Sequence, residues 1–420
     1  MLITVYYPLK KTKAMAREIL TWLTSPRAVF FFGEIFFNLV GMRLKNWGSL
    51  SQVKRVLVVR LDEIGDVVMT IPFLRELRHN LIESWITLIV KSQLYNLVEL
   101  CPYVNEVVIY DGEVNGRFVL LRRHGRALLL AWRHLWRHRF ELAIVPRWDT
   151  DYYHASFVAY LSGATWRVGY SENVNPHKKQ LNKGYDRLFT HLLYENSPKH
   201  EVEHNLEIIR FLGGKVENDK LELWIEEDDK EFARQFLKRH RVKSDDLLIS
   251  IAPGAGAPKR QWPVERFIEL GSWLKKTYKA RLLVTGGEGE EILGERMKEA
   301  LGDTIINAVG RTTLRQTVAL LKFSRLFVGN DAGPMHMAAA VSIPIVMISC
   351  HPKTGSPLSP NSPSRFRPWK VPHKILQPES PQPPCVEECV ADYPHCIRNV
   401  KVEEVKKAIE EILSSRVEKL

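Results

Sequence analysis

Short apolar runs alternate with stretches of helical spacing along this chain, and the alternation happens twice. From Arg55 to about Glu222 the runs Val56–Leu61, Trp85–Val90, Val107–Tyr110 and Glu141–Val145 read as buried strands with helices between them. The acidic, helix-forming stretch Glu226–Arg241 follows, and Leu247–Ala252 opens a fresh strand after the turn-like Lys243-Ser244-Asp245-Asp246. The second half then predicts helix Pro263–Thr277, strand Arg281–Thr285, helices Glu290–Leu301 and Leu314–Lys322, strand Arg325–Val328, helix Pro334–Val341 and strand Ile343–Ile348. Two such halves imply two doubly wound α/β sheets. Ten prolines in His351–Pro384 rule out a helix or a central strand there and suggest a long wrapping segment. Val402–Leu413 closes the chain as an amphipathic helix. The expected layout is an N-terminal extension over 1–50, a first domain over 51–242, a second over 243–378 and a tail over 379–420.

Chemistry in parallel α/β proteins gathers where strands end and helices begin. Three strand-to-helix turns stand out here. In RVLVVRLDEIGDVVMTIPFLRELR (Arg55–Arg78) the turn offers carboxylates, Asp62 and Asp66, around Gly65, with Asp66 in the first helical turn. A helix dipole by itself favours an acid at that position. In VGNDAGPMHMAAA (Val328–Ala340) the turn Gly329-Asn330-Asp331-Ala332-Gly333 is followed by Pro334 at the first helical position, a geometry that suits a phosphate oxygen. In SIAPGAGAPKRQWP (Ser250–Pro263) a Gly/Pro/Ala-rich loop carries adjacent cations, Lys259 and Arg260. One carboxylate loop in the first half and two anion-suited loops in the second outline a two-domain cleft enzyme.

With 420 residues the chain is long enough for two domains. Its formal charge of +12 implies an anionic partner. Cysteines number five, an odd count, and only Cys101 and Cys350 precede residue 351, which disfavours a disulfide-built fold. Ala28–Met42 holds five Phe residues but is shorter than the ~20 residues a membrane span needs. Lys10, Lys11, Lys13, Arg17 and Arg27 precede it, and Arg43 and Lys45 follow, so it reads either as a segment lying in an anionic membrane surface or as a packed helix. Leu120–Arg139 carries six Arg, three His and no acid, with Leu128, Trp132, Leu135 and Trp136 on one helical face. It reads as a sheet-covering helix with a solvated basic side, or as a docking surface for anionic lipid. No zinc-finger, RRM-type or helix-turn-helix pattern points to nucleic acid. Cys385, Cys389 and Cys396 cluster in C-x3-C-x6-C, with His395 or His373 as a fourth donor. The incomplete pairing favours ordinary thiols or one disulfide, and no metal is expected.

The segments VVRLDEIGDVVMTIPFLREL, IAPGAGAPKRQWPVERF, LLVTGGEGEE and VGNDAGPMHMAAA, in that order, resemble glycosyltransferase family 9, the ADP-heptose:lipopolysaccharide heptosyltransferases. The resemblance covers about Arg55 to Ile348. It implies a GT-B fold, two Rossmann-like domains around a cleft, with the acceptor on the first and a nucleotide sugar on the second. It also implies inverting transfer without a metal or other cofactor, the co-substrate being ADP-heptose. Asp66 matches the family's catalytic base, with Asp62 and Gly65 in the same acceptor-side loop. Arg260 falls where a lysine usually stands before x-Trp-Pro and Lys259 sits one place early, so either cation is a candidate for the diphosphate. Asp331, Ala332 and Gly333 match the phosphate-proximal loop, although serine or threonine is common at the Ala332 position, and the flanking Asn330 and Pro334 are donor-binding candidates with them. Gly286 and Gly287 suit close approach of a nucleotide base, and Glu290 resembles a ribose-binding acid. His336 lies on the same donor-side helix, where packing is the preferred role.

The resulting expectation is a peripheral enzyme on the inner face of the cytoplasmic membrane, acting on an anionic glycolipid. Two alternatives remain at this point. One is a GT-B-like nucleotide-sugar epimerase, and the other a non-catalytic protein that binds glycolipid phosphates. A dehydrogenase is disfavoured because neither half has G-x-G-x-x-G after its first strand.

Overall fold

The computed structural model describes residues 21–42, 50–116 and 118–417. Two six-stranded sheets, all of whose pairings are parallel, carry the architecture. The first contains β1 (Arg55–Val59), β2 (Trp85–Val90), β3 (Glu106–Ile109), β4 (Leu142–Val145), β5 (Trp166–Tyr170) and β6 (His191–Leu193) in the order β3-β2-β1-β4-β5-β6. The second contains β7 (Leu248–Ala252), β8 (Arg281–Val284), β9 (Ile305–Asn307), β10 (Leu326–Asn330), β11 (Ile345–Ile348) and β12 (His373–Leu376) in the order β12-β11-β10-β7-β8-β9. Both are the same doubly wound order, and each has its switch point between its first and fourth strands. β1 is buried at every position but its first, as a strand covered by helices on both faces must be.

The sheets meet through two helices. Ile64–Asn80, which follows β1, packs along Gly333–Ala340, which follows β10. One apolar cluster runs through this contact, joining Val67, Val68 and Ile71 to Phe327, Met335 and Met347. Close approach at the helix starts depends on two glycines. A methyl group on Gly65 would sit 2.6 Å from His336 Cδ2, and one on Gly333 would sit 2.8 Å from Ile64 Cβ.

Several expectations need correcting. Helix Glu227–Arg239, expected with the first domain, buries Ala233, Phe236 and Leu237 against Leu248, Leu283 and Ile306 of the second sheet. Its apolar stripe has no other sheet to cover. Strands β5, β6, β9 and β12 were not expected. The proline-rich segment contains a one-turn helix, Pro363–Phe366, and supplies β12 as an edge strand, where Pro372 just before it interrupts no ladder. That segment also straps the two halves together. The fully buried Arg365 bonds Asp149 at 2.7 Å and Glu201 at 2.6 Å, and the Trp369 indole donates to the Asp219 carbonyl at 2.8 Å.

Helix Pro26–Leu39 is half packed and half open. Phe37 is buried edge-on against Tyr160, whereas Phe31, Phe32, Ile35 and Leu39 are exposed. Of its expected basic flanks, Arg27 is exposed, and Lys10, Lys11, Lys13, Arg17, Arg43 and Lys45 lie outside the described residues. The basic segment forms helix Val119–Leu130 and its continuation to His138. Leu135 is buried there, but Leu128 and Trp132, expected on the same packed face, are exposed. The widened turn at Ala131–Leu135 rotates Leu135 inward relative to the preceding turn. All five cysteines are free thiols.

Candidate active site

Asp66 sits in the first turn of Ile64–Asn80, closing a capping box with Glu63, whose backbone N–H donates to Asp66 Oδ2 at 3.3 Å. Two guanidinium groups grip its other oxygen. Arg147 Nη1 lies 2.9 Å from Asp66 Oδ1 and Arg60 Nη2 lies 3.2 Å from it. The same pair holds Asp62, with Arg60 Nε at 3.3 Å and Arg147 Nη1 at 3.5 Å. Arg60 also donates to the Pro146 carbonyl, which fixes it between the ends of β1 and β4. Burial alone would raise the Asp66 pKa, but Arg147 and Arg60 outweigh it and hold the carboxyl below its usual range. Asp62 is instead pushed up by burial, with the neighbouring Asp66 adding to the rise.

Across the domain contact the Asp331 loop faces this cluster. Asp331 carries a raised pKa through burial and the nearby Asp66 charge, with Arg260 acting against the rise. The carboxylate loop of the first half and the anion-suited loop of the second are therefore electrostatic neighbours. His336 lies between them, buried against Gly65, and burial lowers its pKa to about 4, so it is neutral at pH 7. Its Nδ1 has no hydrogen-bond partner among the described residues. No side chain caps helix Gly333–Ala340, whose N-cap is Ala332 and whose early turn includes Pro334. That end is suited to an external anion.

The two candidate cations part company. Arg260 donates through Nε to the Asp331 carbonyl at 3.1 Å and again through Nη2, so it lies against the phosphate-suited loop. Lys259 turns the other way and donates to the Cys389 carbonyl at 2.8 Å. Asn330 braces the loops, giving its amide to the Pro253 carbonyl at 2.8 Å and accepting from the Trp262 N–H at 3.1 Å. Glu290 accepts from the Gly287 N–H at 2.9 Å, and its carboxylate fills the space where Gly254 and Gly286 have no side chain. Burial raises the Glu290 pKa. Gly287 stays open to solvent with nothing over its Cα.

On the far side of Glu63, a pocket opens between Lys91, Gln93, Tyr110, Arg123 and Tyr153. Lys91 Nζ bonds Glu63 at 2.8 Å and rests 3.4 Å from the centre of the Tyr153 ring. Sequence reasoning missed Arg60 and Arg147. The signal was present: each follows a strand at the switch point, and each stands two positions before an aspartate, in VVRLD and VPRWD.

The sequence profile of glycosyltransferase family 9 (heptosyltransferase) matches residues 129–393. The chain is 21% identical over 295 residues to lipopolysaccharide core heptosyltransferase OpsX of Haemophilus influenzae, covering 70% of this chain and 78% of that protein. It is 22% identical over 325 residues to lipooligosaccharide heptosyltransferase 2 of Haemophilus ducreyi, covering 73% and 85%. Among solved structures, a family 9 glycosyl transferase from Veillonella parvula superposes with a TM-score of 0.70 at 21% identity, over 89% of this chain and 100% of that one. The ADP-heptose LPS heptosyltransferase II of Escherichia coli gives 0.62 at 19% identity, over 86% and 99%. These neighbours share the GT-B fold.

Proposed function

Because the chain belongs to glycosyltransferase family 9, and so is a glycosyltransferase, we propose that it transfers heptose from ADP-heptose to a lipopolysaccharide-type glycolipid, with inversion. The observation that carries this reading is the apposition of Asp66, held ionised by two arginines, with the Asp331–Pro334 loop and Arg260. The acceptor hydroxyl attacks the anomeric carbon from the face opposite the diphosphate. Its proton passes to Asp66 Oδ2, the oxygen not engaged by an arginine. The bond from the anomeric carbon to the phosphate oxygen breaks, and ADP leaves with the electron pair. Arg260 and the start of helix Gly333–Ala340 receive the charge that builds on the diphosphate. A carboxylate with a depressed pKa is a weak base but is always ionised at neutral pH. That suits a reaction in which the hydroxyl becomes acidic only as its new bond forms.

The pocket beside Glu63, whose wall holds Lys91 and Arg123 together with Asp111 and Glu113, lies on the acceptor side and suits the polar sugar headgroup of a glycolipid. The exposed Phe31, Phe32, Ile35 and Leu39 lie on a helix whose Phe36 ring packs, tilted, with its centre 5.2 Å from that of Trp136 of the basic segment. Apolar and cationic groups side by side fit peripheral docking on an anionic membrane. No described helix is long and apolar enough to cross a membrane.

The test is transfer by the purified chain from ADP-heptose to a heptose-deficient glycolipid presented in anionic vesicles. Asp66→Asn is expected to abolish transfer and keep ADP binding, and full activity in that variant would remove the base assignment. Product formed from the donor alone, with no acceptor, would point to an epimerase instead. In the same assay Phe31→Ser/Phe32→Ser is expected to lose activity on vesicles but keep it on detergent-dispersed acceptor. Equal loss on both would reject the docking face.

A further inference from the structure

The tail places Cys385, Cys389, His395 and Cys396 so that one donor atom from each lies within 4.8 Å of the other three. The three thiols are free and buried, and the imidazole is half-buried beside them. From these residues we infer a metal site: Cys385, Cys389, His395 and Cys396 together bind one Zn2+ ion in a closed, structural tetrahedron.

Geometry is the main support. Zinc holds thiolate sulfur at about 2.3 Å and imidazole nitrogen at about 2.0–2.1 Å, so a tetrahedron requires a sulfur-to-nitrogen edge near 3.6 Å. Cys385 Sγ lies 3.5 Å and Cys396 Sγ 3.4 Å from His395 Nδ1. The same nitrogen faces both sulfurs, as a shared ion demands. His373, the other candidate in the sequence, is not among the residues whose donor atoms converge there. The backbone N–H of Val390 points at Cys385 Sγ from 3.4 Å, the kind of outer contact that orients a thiolate ligand.

Chain architecture gives a second, independent argument. Among the described residues from 379 to 400 there is no strand, and the only helical turn is Cys396–Asn399. What apolar packing this stretch has comes mainly from the cysteines themselves with Ile397 and Val400. Segments of this kind are ordinarily held by a cross-link or a metal. Binding balances simply: three thiols give their protons to solvent, the histidine stays neutral, and the ion with three thiolates carries one net negative charge. The Lys259 ammonium, 2.8 Å from the Cys389 carbonyl, is placed to offset it. Lys259 is followed directly by Arg260, so the site would also pin the loop that presents Arg260 to the donor. This last consequence rests on the proposed function; the metal site does not.

The experiment uses the full untagged chain. Elemental analysis is expected to give one zinc per chain. Exchange for Co2+ is expected to produce the intense visible bands and sulfur-to-metal charge transfer of tetrahedral thiolate coordination. Cys389→Ser and His395→Ala should each weaken zinc binding at least ~10-fold and lower the melting temperature, while Cys101→Ser leaves zinc binding unchanged. If the two variants fail to fold, the cobalt spectrum of the unaltered chain still decides. A chain with all five thiols titratable that takes up neither zinc nor cobalt would overturn the inference. So would a disulfide among Cys385, Cys389 and Cys396 in the purified protein.

Discussion

Replacing Arg147 by glutamine should move the acid limb of the reaction. Arg147 is buried, with Nη1 2.9 Å from Asp66 and 3.5 Å from Asp62. An opposite charge at about 4 Å in a partly screened interior is worth ~4 kcal/mol. Arg60 stays in place and glutamine keeps a donor, so the Asp66 pKa is expected to rise, but by less than the loss of a whole charge would raise it. In the unaltered enzyme, Asp66 is held below its ordinary 3.8 and contributes no acid limb above that value. The variant should acquire one, displaced upward by that rise, in a profile of kcat/KM against pH. Arg147→Lys retains the charge and should keep the limb low. ADP affinity should be unchanged in both variants. Breaking a buried pair destabilises by about 3–5 kcal/mol, so rates must be measured well below the variant's melting temperature. Superimposable profiles for the glutamine variant and the unaltered enzyme would refute the claim that Arg147 sets the protonation of Asp66.

Two further perturbations test other links in the chain of reasoning. Gly65→Ala drives a methyl group into the His336 ring and should destabilise by about 1–3 kcal/mol, and His336→Ala in the same chain should recover part of that loss; strictly additive effects in urea unfolding would mean that the two residues do not meet. Burial depresses His154, His204 and His336 to about 4 and His200 to about 3, so the unfolded chain binds more protons than the fold once pH drops below the ordinary histidine value of 6.5. Stability is therefore fully present above that value and falls as pH drops from 6.5 towards 4, by about 2 kcal/mol per histidine at pH 5, and unfolding curves unchanged between pH 7.5 and 5 would contradict the burial of these groups.

The sequence made the fold legible where hydrophobic runs were long and bounded. β1, β2, β7 and β11 are mostly apolar stretches that hold at most one polar residue each, and the sequence pattern predicts all four. β5 escaped notice because Arg167 and Gly169 interrupt it; the arginine is buried, donating to the Leu188 and Ala164 carbonyls, which local pattern cannot reveal. β12 was hidden by flanking prolines that are harmless at a sheet edge. At the site, Asp66, Arg260 and the Asp331 loop were readable because chemistry and turn geometry coincide in sequence. Glu290 and Asn330 were readable as positions but not as braces, since their partners lie in other loops. The cysteine cluster looked incomplete because its spacing departs from the usual paired form, and the role of His395 emerges only when the tail folds back on itself.

The arginines around Asp66 belong to a larger buried network that neither half of the chain could build alone. Arg60, Arg147, Lys178 and Arg365 face the carboxyls of Asp62, Asp66, Asp149, Asp151 and Glu201. Four cations against five acids leave one carboxyl in excess, and the group that sheds its charge most readily is the one with the poorest local compensation. Asp62 is that group: its contacts to both arginines are longer than those of Asp66, and its pKa moves up while that of Asp66 moves down. Arg365, delivered by the proline-rich strap of the second half, satisfies Asp149 and Glu201 directly. With those two acids paired, Arg147 can direct its Nη1 to Asp66. Arg365 thereby ties the strap of the second half to this network through Asp149 and Glu201, two acids that also act on Arg147.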